Sequence, residues 1–380
     1  MSARIAGREV ATDARLDRRA IADLRDVIRQ RFCSFFRSQG YLPHAPGSII
    51  PETDTSVLFT GSAISTLKPH LAASSVPHEG LFIVQNCLRT QNLKYFGNDA
   101  HNLSWASYFS GLGALVRPDQ VDRLAADTWR FLVDELALPV ERLRIQAASK
   151  DVDLLHYWRC AGLLGCVELD ASQPIAYTHK FGMDGISGRN CNFGVVHNVT
   201  GAIRDIGNII VIEAGGRPTA VEIGFGVETI ISRILDLPNP MVASLACDFL
   251  LPLSPLVTQL ADAISATVVI LDAGVRPGPT GRSYILRRYL RSTAELCEKT
   301  EVDPAEVSAC AELFEREEFG VASGIADKIA EYLNAMKLRN GHTARTMNEK
   351  VSAIFMTLRR GCEFGPREPI AVGKAMRGTI

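Results

Sequence analysis

Apolar residues first recur at helical spacing between Arg15 and Gln39, where Leu16, Ile21, Leu24, Val27, Ile28, Phe32, Phe35 and Phe36 fall near one face. Gly40 supplies a stop, and Tyr41–Pro51, with three prolines, reads as extended or turning chain. Short apolar runs at Ser56–Thr60 and Leu81–Gln85 read as buried strands. Asp119–Leu136 carries an amphipathic stripe of Val121, Leu124, Trp129, Phe131 and Leu132, a helix pattern. Leu143–Gln146 reads as a short strand, Asp151–Gly162 as a helix, and Gly182–Gly194 as a loop rich in glycine and asparagine. Arg204–Glu213 and Ala220–Gly224 read as strands, and Val227–Leu237 as a helix. From Asn239 onward the pattern is helical: Ala243–Ile264, Tyr284–Glu298, Pro304–Glu315, Ala322–Leu338 and Thr343–Arg360.

The middle strands are joined by short irregular connections, without regular βαβ alternation. That pattern predicts an antiparallel sheet and an α+β chain. The shift to helices near residues 238–242 sets the expected boundaries: a flexible segment 1–14, a sheet domain 15–240 and a helical domain 241–380. A length of 380 residues fits more than one domain, and an apolar fraction of 47% is enough for a large core. The net charge of −1 gives no global field toward nucleic acid, so any such contact needs a local basic patch. Arg282, Arg287, Arg288 and Arg291, clustered in one short segment, are the candidate; a solvated helix face is the plainer alternative. The nine cysteines show neither a CxxC pair nor zinc-ligand spacing, so reduced thiols and no structural zinc are expected. A polar Met1–Arg19 segment without a secretory apolar stretch, and no run of membrane-span length, give the expectation of a cytoplasmic protein with no membrane partner.

Three stretches, in order, carry a resemblance. They are FFRSQGYLPHAPGSIIPETDTSVLFTGSAISTLKP (Phe35–Pro69), NCLRTQNLKYFGNDA (Asn86–Ala100) and GVRPGPTGRSYILRRYLR (Gly274–Arg291). A weaker fourth is VEIGFGVETIISRIL, Val221–Leu235. Together they make the chain resemble the alanyl-tRNA synthetase family. The resemblance implies a class II synthetase-like antiparallel sheet flanked by helices, followed by an all-α, tRNA-recognition-like domain. It further implies a free-standing catalytic core without editing or C-terminal domains, able to form a homodimer through the helix at 15–39.

What the family does chemically is join an amino-acid carboxylate to the α-phosphate of ATP, so the resemblance implies ATP and Mg²⁺. Arg89 sits where the family places the catalytic, ATP-contacting arginine, although a strand-end salt bridge is the bland reading of such a residue. Counting along the next loop puts the adenine-stacking position at Ala106, with Trp105 beside it as a stacking face or as ordinary core. The ATP-tail arginine of the family becomes Thr229, and Arg233, one helical turn later, is the candidate replacement. Glu213, at a strand end, is the candidate ATP and Mg²⁺ carboxylate.

For the amino acid, the resemblance points to Glu222 at the ammonium-holding position, with Asn208, Gly224 and Gly226 nearby. His179 stands at the place of a pocket tryptophan, and Gly207 replaces another, which implies a larger or more polar substrate than alanine. Pro279 stands where the family has a base-reading asparagine, so the arginine cluster is left to hold an acceptor-stem backbone without reading it. The resulting expectation is activation of an amino acid other than plain alanine as its adenylate. Transfer then goes to tRNA, or to a small-molecule or carrier-protein acceptor in specialised metabolism. Two alternatives stay open: an ATP-independent aminoacyl transferase fed by charged tRNA, and a non-catalytic amino-acid sensor.

Overall fold

The structure is a computed structural model describing residues 2–5, 8–11 and 18–338, apart from residues 53, 55, 100–102, 150 and 171–176. The helix expected at Thr343–Arg360 lies outside these. Residues up to Leu333 belong to one compact unit, so the chain on either side of residues 238–242 shares one body.

Where fraying was expected, β1 (Ser2–Ile5) pairs antiparallel with β2 (Arg8–Ala11). The amphipathic pattern that follows becomes α1, Arg18–Ser38. Then come β3 (Leu42–Pro43), α2 (Ala63–Ala72), β4 (Leu81–Leu88), β5 (Tyr108–Val116), α3 (Val121–Arg130), β6 (Leu143–Ala148), α4 (Val152–Cys160) and β7 (Val167–Asp170). They are followed by β8 (Thr178–Lys180), β9 (Ile186–Val196), β10 (Ile203–Ala214), β11 (Arg217–Gly226) and α5 (Val227–Ile234). Three further helices follow, α6 (Pro255–Asp272), α7 (Gly281–Thr300) and α8 (Pro304–Phe319), and residues 325–338 are helical as well, within the span expected at Ala322–Leu338.

The strands form one sheet in the order β3-β4-β5-β11-β10-β9-β6-β7, with β8 paired to β9. The six strands from β4 to β6 are antiparallel, and parallel pairs occur only at the ends, β3 with β4 and β6 with β7. The expected α+β antiparallel sheet flanked by helices is therefore present.

Strand alternation divides the sheet into two faces. On one, Phe82, Leu112, Ala114, Val221, Ile223, Phe225, Ile209 and Phe193 meet Ile21, Leu24, Ile28, Phe32 and Phe36 of α1 in the main core. On the other, glycines stand in register: Gly113 opposite Gly224, and Gly111 opposite Gly226. These glycines let the start of α2 descend onto the sheet. A Cβ at Gly113 would lie 2.5 Å from Ala63 Cβ, and one at Gly111 would lie 3.0 Å from Cys87 Sγ.

Four expectations are corrected. Ser56–Thr60 makes two isolated backbone bonds, Thr60 N to Ile49 O and Leu88 N to Thr60 O, in place of a ladder; it bends and leaves Leu58 exposed. Gly182–Gly194 is mostly the strand β9, with turn conformations confined to Gly182 and Gly185, whose φ values are 69° and 73°. Gly188 and Gly194 are strand residues because neighbours fill their Cβ positions: Ile210 Cγ2 at 2.6 Å and Ile203 Cγ2 at 2.4 Å. The helix expected over Ala243–Ile264 starts only at Pro255, behind two 3-10 turns, because prolines at 252 and 255 break the run and Ser254 Oγ caps the new start by accepting from Val257 N. This α6 is long and apolar enough to cross a membrane, contrary to expectation, but 78% of that window is buried inside the fold.

Gly113→Ala is expected to lower stability by about 1–3 kcal/mol, because Ala63 and the end of α2 must move off the sheet. Chemical denaturation checks this; an unchanged midpoint would contradict the close approach of α2.

Candidate active site

Arg89 directly follows β4, and its N–H donates to Ser107 O at 2.8 Å, prolonging the pairing with β5. Its Nε donates to Gly61 O at 2.8 Å, and its guanidinium lies 5.1 Å from the Phe109 ring centre and 5.9 Å from that of Trp105. Among the described residues no carboxylate pairs with it, so burial alone presses its pKa down, eased by Cys87. A guanidinium so held retains donors for an anion that enters from solvent.

Helices of the C-terminal half hold this arginine in place. Asp262 of α6 is fully buried and accepts from Ser107 N (2.7 Å), Ser107 Oγ (2.6 Å) and Asn92 Nδ2 (3.1 Å). Burial pushes its pKa up to about 6 against the pull of those hydrogen bonds. From α7, Tyr289 Oη donates to Arg89 O at 3.3 Å. None of these supports was read from the sequence. A polar residue at a fully apolar position of α6, Asp262 among Ala261, Ala263 and Ile264, was the available signal.

Beside Arg89 opens a cleft of about 1190 Å³ lined by Trp105, Phe109, His179, Asn208, Glu222, Gly224, Gly226 and Arg233. Eight of the expected positions, Arg89 aside, include seven of these; Phe109 is new. Glu222 of β11 is 3% exposed, and among the described residues its Oε2 has no hydrogen-bond partner. Burial raises its pKa to about 8, which favours the protonated acid at neutral pH. A Cβ at Gly224 would occupy the gap between Asn208 Oδ1, 3.4 Å away, and Glu222 Oε1, 3.7 Å away. Glycine therefore keeps the path to the carboxyl clear.

Two pocket readings change. Ala106, counted as the stacking position, is buried with Cys87, Leu103 and Met241; the ring beside Arg89 is Phe109, brought there by strand β5, which the sequence pattern did not reveal. Gly207 lines the cleft, but its missing side chain opens no space there. It follows a bulge that turns its Cβ direction into the Phe225 ring (2.2 Å) and Gly224 O (2.4 Å), on the core face of the sheet. Trp105 does line the cleft, and its buried Nε1 has no partner among the described residues.

Arg233 shares the cleft with Thr229 and donates to Ser104 O at 3.1 Å and Asp205 O at 3.4 Å; burial lowers its pKa to about 10, with Arg204 adding to the shift. Glu213 does not line the cleft. Its Oε1 is 2.9 Å from Arg189 Nε, and the same arginine pairs with Asp151, so the expected role on ATP and Mg²⁺ does not fit its position. Among the described residues no group of three His, Cys, Asp or Glu is arranged to hold a metal ion.

The α7 arginines do not act as one patch. Arg282 Nε donates to Leu58 O on the cleft rim at 2.6 Å, and Arg288 Nη2 to Leu93 O at 3.4 Å. Arg287 lies over the Tyr284 ring at 5.4 Å, and Arg291 is exposed. Two of the four thus brace loops of the sheet half.

Residues 27–197 match the family model described as tRNA synthetases class II (A). The alanine–tRNA ligase of Thermoanaerobacter sp. (strain X514) is 31% identical over 133 residues, 34% of this chain and 15% of that protein. That of Elusimicrobium minutum (strain Pei191) is 22% identical over 306 residues, 70% of this chain and 35% of that protein. The chain therefore spans well under half the length of these relatives. Among solved structures, an aspartyl-tRNA synthetase from Entamoeba histolytica aligns with a TM-score of 0.35 and 12% identity, over 59% of this chain and 57% of that one. By sequence the chain is thus similar to alanine–tRNA ligases, and its residues 27–197 match the class II (A) tRNA synthetase model.

A raised Glu222 pKa means the folded chain keeps this proton longer than the unfolded chain does. On account of this group, stability is greatest below about pH 4.5 and falls as pH rises to about 8, by roughly 1.4 kcal/mol per pH unit within that window. Glu222→Gln is expected to flatten that slope. Denaturation midpoints at pH 5 and pH 8 check it, and an unaltered slope would show that the carboxyl is not desolvated.

Proposed function

We propose that the cleft activates an amino acid with ATP. Glu222 receives the α-ammonium, and Arg89 lies between the carboxylate and the α-phosphate. The observation that carries this reading is the unpartnered, buried carboxyl of Glu222 in the same cleft as the acid-free guanidinium of Arg89. One site lacks a cation and the other lacks an anion; an α-amino acid brings both.

In the reaction, a carboxylate oxygen attacks the α-phosphorus, a new P–O bond forms, and the bond to the bridging oxygen breaks to release pyrophosphate. Two anions must approach, and Arg89 offsets their repulsion while orienting both by its planar fork. Its seat above Phe109 and near Trp105 gives the adenine two ring faces to stack on. Arg233 supplies positive charge one helical turn beyond Thr229 for the phosphate tail. Mg²⁺, which class II synthetases use in general, would neutralise phosphate charge when bound; the described residues offer it no carboxylate cluster. The adenylate then passes to a nucleophile, a tRNA end as in the family or a small amine or carrier thiol. The division of labour among Arg282, Arg287, Arg288 and Arg291 leaves Arg287 and Arg291 for a backbone contact.

Amino-acid-dependent exchange of labelled pyrophosphate into ATP tests the reading. Arg89→Ala is expected to cut exchange by about 10²–10³-fold, chiefly in kcat. Absence of exchange with every amino acid would count against activation. If transfer from pre-charged tRNA then proceeded without ATP, the transferase alternative would replace it.

A further inference from the structure

We infer that the substrate carries a neutral side chain ending in an O–H or N–H donor, a hydroxyl or carboxamide, received by His179. This rests on the reading above, in which Glu222 holds the ammonium, and it names the substrate class of that site.

The register of the sheet sets the direction. Glu222 on β11 stands opposite Ile210 on β10, which stands opposite Asn190 on β9. At roughly 4.8 Å per strand, Asn190 lies about 10 Å across the sheet from the ammonium site. Ile210 lines the cleft between them, an apolar floor suited to a methylene stem. The neighbouring row runs Gly224, Asn208, Asn192, Gln146 across β11, β10, β9 and β6, and both Asn208 and Gln146 line the cleft. Two carboxamides, Asn208 and Gln146, thus stand in the cleft lining beside the apolar step.

His179 completes this end. Its Nδ1 is 3.1 Å from Asn190 Oδ1, while Asn190 Nδ2 donates to Asn192 Oδ1 at 2.6 Å. With Asn190 Nδ2 committed as a donor, its Oδ1 is the acceptor facing the ring, so Nδ1 carries the proton. In that tautomer the ring presents Nε2 as a lone pair, and no described residue bonds it. A lone pair asks for a donor. A side-chain carboxylate supplies none, and an aliphatic side chain supplies nothing. A cationic side chain would meet Lys180 and Lys68 on the same wall, and Lys68 already holds Asp54 at 2.5 Å.

The test compares isosteric pairs in pyrophosphate exchange: asparagine against aspartate, glutamine against glutamate, threonine against valine, and serine against alanine. In parallel, calorimetry without ATP measures binding of the same amino acids. The donor-bearing member of at least one pair is expected to win by 10²-fold or more in kcat/KM and in affinity, as expected where a buried polar group would go unpaired. His179→Phe is expected to narrow that ratio to below about tenfold, mainly through KM, whereas His179→Gln, which keeps an acceptor, retains most of it. Preference for alanine, for an acidic member, or a ratio unmoved by His179→Phe would overturn the inference. Selective binding without exchange would sink only the activation reading. Exchange without donor selectivity would sink only this inference, and no binding at all would sink both.

Discussion

A carboxyl group buried on a sheet face without a counter-charge is the constraint around which the cleft is built. Isolated in apolar surroundings a carboxylate is costly, and burial raises the Glu222 pKa to about 8, which favours the protonated form. The neighbouring residues are consistent with a visiting cation. Gly224 and Gly226 beside it carry no side chains, Gly113 and Gly111 on the next strand let α2 form the wall, and Asn208 faces the same space. Replacing any of these glycines by a larger residue would close the approach or push α2 away.

The second constraint couples the two halves of the chain. Arg89 depends on a loop whose backbone and hydroxyl donors end on Asp262, a residue more than 150 positions later, and on Tyr289 from the next helix. The helical half is thus structural support for Arg89. This explains why residues 1–333 form a single compact unit although composition changes sharply near residue 240.

Much of this was legible in the sequence, and the pattern of what was not is physical. α1 was readable because its apolar face repeats at helical period; Arg89 and Glu222 lie inside family-like stretches, and both line the cleft together with Asn208 and His179. β5 was missed since its run Tyr108–Val116 alternates glycine with bulky residues, which resembles a loop until the partner helix that needs those glycines is known. With β5 missing, the count along the loop fell on Ala106 and passed over Phe109. The stretch Gly182–Gly194 failed in the same way, because glycine that permits close packing cannot be told by composition from glycine that permits a turn. Glu213 misled for another reason: a strand-end carboxylate says nothing of which face it serves, and Arg189 on the neighbouring strand had already claimed it.

The most direct test of the account is a crystal structure with a non-hydrolysable aminoacyl-adenylate analogue in the cleft. The account requires its ammonium at about 3 Å from a Glu222 oxygen, with the Arg89 guanidinium on the acyl-phosphate linkage. An analogue bound elsewhere, or seated with its amine away from Glu222, would contradict it.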